Sequence, residues 1–265
     1  MPKRARSSPE SAMPMPSPDR TTRKRAGASE FVLGVDGCRA GWIVARLNLS
    51  GMSANGFIAM SFAEILNGAG AQAAMIMVDM PIGLADSGRR ACEGLARRRL
   101  KPGRTSSVFT PPRRPMLNFD AYEEANAWGK RQEAKGGLSK QAWMIAPKIR
   151  EVDAAITPAD QARLGEAHPE VAFARLNDGR PCAHAKRRQE GEEERLALLT
   201  RAGFSDAEDI YQALRKEHGA KAVKRDDVYD ACALALTAKA RLEGKAVHLS
   251  DGARDARGLV MEIWG

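Results

Sequence analysis

Asp227 and Asp230 open the run Asp227-Val228-Tyr229-Asp230-Ala231-Cys232-Ala233-Leu234-Ala235-Leu236 near the C-terminus. In a helix of 3.6 residues per turn, positions 227, 230 and 234 share one face, so both carboxylates point inward with Leu234. Carboxylates aimed inward are costly unless they are paired, hydrogen-bonded or neutralised by a metal. Asp226 is expected to cap this helix, and Asp227 either favours the helix dipole in the first turn or serves a site. Asp230 lies too far along for capping. Two further aspartates follow apolar runs, Asp36 after residues 31–35 and Asp79 after residues 75–78. Each can be a turn residue, Asp36 with Gly37 and Asp79 before Met80-Pro81, or a strand-end ligand. If they converge with the helix pair, the hard oxygen set suits Mg2+ or Mn2+. Two such ions about 4 Å apart would hydrolyse a phosphodiester, one activating a water and the other stabilising the leaving oxygen.

Positioning these acids requires buried strands and a covering helix. The periodicity predicts strands at 31–35, 42–49 and 56–60, a short helix at 62–67, and a fully buried strand ending at Asp79. A basic helix is expected at 89–100, a loop with four prolines at 101–118, and helices at 119–131 and 140–155, the latter kinked or divided at Pro147. A strand is expected around 166–176 with Pro169 at a bulge or edge. Helices across 186–218, one from Asp226 to about residue 242 and a strand at 259–264 complete the pattern. Hairpin strands followed by strand and helix alternation predict an α/β fold with a mixed sheet.

Composition narrows the class. The chain of 265 residues carries a net charge of +9. Residues 1–29 hold seven basic side chains against Glu10 and Asp19, so five of the nine net charges sit there. That stretch, rich in Pro, Ser and Arg, is expected to be a disordered basic tail outside a single domain at 30–265. Five prolines in the first eighteen residues oppose an amphipathic targeting helix, so a non-targeting extension is expected. No apolar run approaches the roughly 18 residues of a spanning helix, which excludes a membrane protein. Cys38, Cys92, Cys182 and Cys232 form no C-x-x-C pair and read as reduced thiols of an intracellular, cytoplasmic protein.

The order strand-Asp, strand-Asp, then Asp-x-x-Asp-Ala on a final helix resembles the ribonuclease H-like superfamily, in particular its Holliday-junction-resolvase branch. Gly34-Val35-Asp36-Gly37-Cys38-Arg39-Ala40-Gly41-Trp42 is similar to the opening of the domain-of-unknown-function 429 family, described as predicted ribonuclease H-like nucleases. Further similarities are Asp79-Met80-Pro81-Ile82-Gly83-Leu84, Arg104-Thr105-Ser106-Ser107-Val108-Phe109, Leu138-Ser139-Lys140-Gln141-Ala142, Pro147-Lys148-Ile149-Arg150-Glu151-Val152-Asp153, His168-Pro169-Glu170 and Asp226-Asp227-Val228-Tyr229-Asp230-Ala231. Together they run from Phe31 to about residue 242. The resemblance implies a ribonuclease H-like mixed sheet of five or more strands flanked by helices, with a helical insertion at about 87–160. It also implies Asp36, Asp79, Asp227 and Asp230 as the metal-binding and catalytic set. A resolvase-type site usually has Glu on the second strand, and Asp79 is one methylene shorter. Glu170 is a candidate fifth acid, expected on the strand beside that of Asp79.

Around such a site, Arg104, Ser106 and Ser107 could bind a phosphate, extended by Arg113 and Arg114, or the loop is merely proline-stiffened surface. Lys148 faces a phosphate or pairs with Glu151 on a helix surface. His168 shuttles a proton or is a hydrogen-bonded structural group. Trp42 and Phe109 stack bases or pack in the core. The acidic run from Glu190 to Glu194 is expected to be a solvated helix start that repels nucleic acid. The expected activity is metal-dependent nuclease or phosphodiesterase chemistry on nucleic acid, with DNA and RNA both open. The alternatives are a non-catalytic nucleic-acid-binding or scaffold module, and a phosphohydrolase of small nucleotides.

Overall fold

A computed structural model describes residues 29–133 and 136–265. The basic tail, apart from Ser29, lies outside the described residues. Five strands, β1 Phe31–Cys38, β2 Gly41–Asn48, β3 Ala54–Ala59, β4 Ile76–Val78 and β5 Leu164–Glu166, form one sheet in the order β3-β2-β1-β4-β5. The first three pair antiparallel as a meander, and β1-β4 and β4-β5 pair parallel. The fold is therefore α/β with a mixed five-stranded sheet.

The helices are α1 Phe62–Asn67, α2 Ala69–Gln72, α3 Ala91–Arg99, α4 Tyr122–Gln132, α5 Lys140–Met144, α6 Ala146–Ala155, α7 Pro169–Leu176, α8 Gln189–Arg201, α9 Ala207–His218 and α10 Arg225–Leu242. Four of them, α3 to α6, fall between β4 and β5. The expected helix at 140–155 is indeed divided, at Ile145, with Pro147 in the first turn of α6 where its missing N–H costs nothing. A separate hairpin of β6 His248–Arg254 and β7 Val260–Trp264 closes the chain, bridged to Ala167 just beyond β5. Strand β6 escaped the sequence pattern because its Ser, Asp, Gly and Arg residues carry no apolar alternation and are largely exposed. Among the described residues no helix is long and apolar enough to cross a membrane. All four cysteines are free and buried.

Both faces of the sheet are covered, and the two-residue strand period sorts side chains between them. Val32, Met77 and Ile43 pack with Phe173, Leu198 and Leu234 on the α10 side. Leu33, Val35, Ile76 and Val78 pack with Ile149 and Val152 of α6 on the other. By the same alternation Asp36 shares the face of Val32, and Asp79 shares the face of Met77. The pleat thus aims both acids at α10.

Helix α10 lies unusually close to β1. A Cβ on Gly34 would stand 2.0 Å from Ala231 O and 2.2 Å from Ala235 N. Only glycine lets the two backbones touch there, and Ala231 and Ala235 keep the helix surface flat. That contact fixes the height of Asp227 and Asp230 above the sheet. Gly34→Ala is expected to lower the unfolding free energy by about 3 kcal/mol or more through overpacking. A urea titration checks this, and an unchanged midpoint would contradict the contact.

Candidate active site

Asp36 lies inside β1, paired opposite Ile43, and the strand continues to Cys38 before turning. It is not the turn aspartate that Gly37 could have implied. The β1-β4 ladder reaches Val35 and Val78, and Asp79 N–H donates to Val35 O at 2.9 Å. Asp79 is therefore held at the carboxyl end of β4, immediately beside Asp36. The following turn is clamped. Ile82 N–H donates to Glu166 Oε2 at 2.8 Å and Leu84 N–H to Asp255 Oδ2 at 3.0 Å. Buried Arg90 bridges Glu166 and the carbonyls of Ile82 and Gly83.

From the other side α10 brings its acids. Lys224, not Asp226, occupies the N-cap position, and no side chain caps the helix. Asp226 lies two positions further in, buried, with Lys186 Nζ at 3.5 Å and Arg187 Nε at 3.6 Å. Its role is ion pairing, because the N-cap lies two residues before the Asp226 expected there. Asp230 is only 1% exposed. Its Oδ2 accepts from Lys186 Nζ at 2.7 Å, and its Oδ1 has no hydrogen-bond partner.

The four acids feel one another. Burial pushes Asp36 well above the usual carboxylate range, and Asp79, Asp230 and Asp227 push it further. Asp79 is pushed up to about 8 by burial and by Asp230, against the pull of Lys186. Asp227 is raised to about 7 by burial and Asp226, again opposed by Lys186. Burial also raises Asp230, which Lys186 partly offsets. Lys186 pays the burial penalty too, but Asp230, Asp36 and Asp226 outweigh it and hold its charge well above the ordinary lysine range. Among the described residues no three His, Cys, Asp or Glu side chains stand ready around one metal position. The Lys186 ammonium is instead paired with Asp230 and Asp226.

Beside the cluster opens a cavity of about 360 Å³, lined by Asp79, Asp230, Glu170, His168, Ser106 and Lys186 among others. Glu170 reaches it from a different element than expected. Strand β5 stops at Glu166, and Pro169 begins α7 as a first-turn proline, so Glu170 is helical. Its Oε1 accepts from buried Arg195 Nη2 at 2.5 Å, while its Oε2 is buried without a partner. The acid on the strand beside Asp79 is Glu166, paired opposite Val78. His168 is the N-cap of α7, its Nδ1 accepting from Glu170 N–H at 3.2 Å. Burial lowers its pKa, so the imidazole is neutral at pH 7.

The remaining candidates divide. Arg104, Ser106, Ser107 and Phe109 line the cavity, but the Arg104 guanidinium is spent on Cys182 O and Ala183 O, at 2.9 and 2.8 Å. Arg113 is elsewhere, buried, bonded to Gly88 O and paired with Glu133. Arg114 likewise pairs with Asp153 and Asp255. Lys148 donates to Gly41 O and lies over the Trp42 ring at 4.2 Å. Glu151 does not pair with it but accepts from Trp42 Nε1 and Phe62 N–H. Trp42 is fully buried against Phe62 and belongs to the core. Sequence reasoning missed Lys186, Arg90, Glu166 and Arg195. Three are charged residues in charge-rich or loop segments with no period to mark them as buried, and Glu166 ends a strand of only three residues.

Raised acids lose stability as they ionise. A carboxyl with a folded pKa above its unfolded value stabilises the fold while protonated, and that contribution disappears as pH rises through the folded pKa. For Asp79 the window runs from about 4, the unfolded value, to about 8. The metal-free Tm is therefore expected to fall between about pH 5 and pH 8, with a shallower fall in Asp79→Asn. Equal slopes in thermal melts across that range would contradict a buried, mutually repelling set.

The family model described as "Protein of unknown function (DUF429)" matches residues 34–254. No curated protein and no solved structure matches the chain. The matched span contains β1 from Gly34 onward, Asp79, the cavity and all of α10, so the chain belongs to the DUF429 family.

Proposed function

We propose that this protein is a metal-dependent phosphodiesterase of ribonuclease H-like type, acting on nucleic acid. The observation that carries this reading is the convergence of Asp36 from within β1, Asp79 from the end of β4, and Asp227 and Asp230 from one crossing helix. Neighbouring like charges raise one another's pKa, as these do, unless a cation shares them. Their donor set is all carboxylate oxygen, and Asp230 Oδ1 is buried without any donor. Both features fit a hard divalent cation, Mg2+ or Mn2+. Asp36, Asp79, Asp227 and Asp230 would hold it, and when bound it would activate a water and stabilise the leaving oxygen.

The chain's own side chains set the surroundings. Neutral His168 has its Nδ1 engaged by Glu170 N–H, so Nε2 carries the proton and faces Ser107 O at 3.4 Å. Its role is donation and orientation rather than proton abstraction. Arg195 holds Glu170 in place beside the cavity. Arg104 anchors the segment before Lys186. The cations that line the cavity beside the acids, Lys186 and Arg187, supply charge for a phosphate.

A second reading, hydrolysis of a small phosphorylated nucleotide, is favoured by the cavity beside the acids, whose volume of about 360 Å³ is that of small-molecule sites. Labelled single-strand, duplex, hybrid and junction substrates, with free nucleotides alongside, separate the two in magnesium or manganese. Wild type is expected to cleave, and Asp36→Asn with Asp230→Asn to lose at least roughly 100-fold, the scale of losing one principal electrostatic contributor. Equal rates in both proteins would overturn the metal site. Cleavage of free nucleotides alone would favour the second reading.

A further inference from the structure

We infer that Lys186 serves two anions in turn, neutralising Asp230 in the metal-free protein and receiving a phosphate oxygen once a divalent cation takes the aspartates. This role rests on the phosphodiesterase reading above. Lys186 Nζ stands 2.7 Å from Asp230 Oδ2 and 3.5 Å from Asp226 Oδ2, where it is the nearest cation to the cluster. An ammonium and a divalent cation cannot share one carboxylate at such distances without strong repulsion in a partly dry site. Loading the aspartates therefore means moving the ammonium.

The backbone around Lys186 is built to stay while its side chain moves. Arg104 holds the carbonyls of Cys182 and Ala183. Glu194 accepts from Ala183 N–H at 2.8 Å and His184 N–H at 3.0 Å. Arg195 Nη1 donates to His184 O at 3.2 Å. A Cβ on Gly191 would meet Ala185 O at 2.0 Å, so the start of α8 presses directly on the residue before Lys186. The lysine stem is long, flexible and tipped by three donors. Its side chain is 36% exposed and lines the same cavity as Asp230 and Ser106, so a short swing carries the ammonium from carboxylate to cavity.

The acceptor count points the same way. Asp230 Oδ1 and Glu170 Oε2 are both buried and without donors. One ammonium on Asp230 Oδ2 leaves those oxygens unanswered. A cation of higher charge and coordination number would take more of them, leaving Lys186 for the incoming anion.

Three measurements on the full chain test this. Manganese(II) alone is titrated into wild type and Lys186→Met, and thymidine 5′-monophosphate into the manganese-saturated proteins. Acylation of Lys186 in wild type is followed by mass spectrometry with and without manganese. Lys186→Met is expected to bind manganese roughly tenfold tighter and the nucleotide roughly tenfold weaker, the scale of one charge-assisted contact. Lys186 of wild type is expected to acylate several-fold faster with manganese bound. Manganese affinity equal to or below that of wild type, or unchanged nucleotide affinity, would overturn the inference. So would unchanged acylation at saturating manganese, which decides the matter on wild type if the variant does not fold. If neither protein binds manganese, the phosphodiesterase reading falls as well, whereas manganese binding with unmoved Lys186 removes this inference alone.

Discussion

Four neighbouring carboxylates, Asp36 and Asp230 buried and Asp79 and Asp227 half-buried, repel one another when charged unless a cation stands among them. That repulsion shapes the centre of the molecule. Desolvation raises each acid, each neighbour raises it again, and a single ammonium from Lys186 offsets only part of the cost. A fold selected for stability alone would bury apolar groups here. The arrangement makes sense if a stronger cation completes it.

The rest of the architecture serves to hold the acids against their repulsion. Parallel pairing of β1 with β4 sets Asp36 beside Asp79, and the strand period turns both toward α10. Gly34 lets α10 settle directly onto β1, which brings Asp227 and Asp230 down to the same level. Behind Asp79, Arg90 and Glu166 lock the turn through paired hydrogen bonds in the dry interior. On the cavity side, Arg195 and the first turns of α7 and α8 fix Glu170, His168 and the segment that carries Lys186. Several of these supports, Gly34 against α10, Arg90 with Glu166 and Arg195 with Glu170, join residues distant in sequence.

That distance decides what could be read beforehand. Strands β1, β2 and β4 and helix α10 were legible because their apolar periodicity is strong, and Asp230 stood out because capping cannot explain an acid so deep in a helix. Where the pattern at 166–176 suggests a strand, the chain forms helix α7 from Pro169. Its apolar run from Val171 to Ala174 suits a buried helix equally well, and the proline that argues for a bulge is in fact the helix start. Local preference assigns Asp226 to capping, yet tertiary pairing with Lys186 and Arg187 sets its place. Lys186 carried no signal of its own. A lysine in a run of basic residues looks like solvated surface until the fold brings Asp230 to it. Arg113 shows the reverse error, a loop arginine offered to a phosphate but engaged by Glu133 instead.

Anomalous diffraction from manganese-soaked crystals tests the aspartate cluster most directly. The expected result is manganese bound by carboxylates from Asp36, Asp79 and the Asp227–Asp230 pair, with Lys186 Nζ withdrawn from Asp230 into the cavity. Manganese bound only elsewhere, or no manganese with Lys186 still on Asp230, would contradict a metal-dependent site.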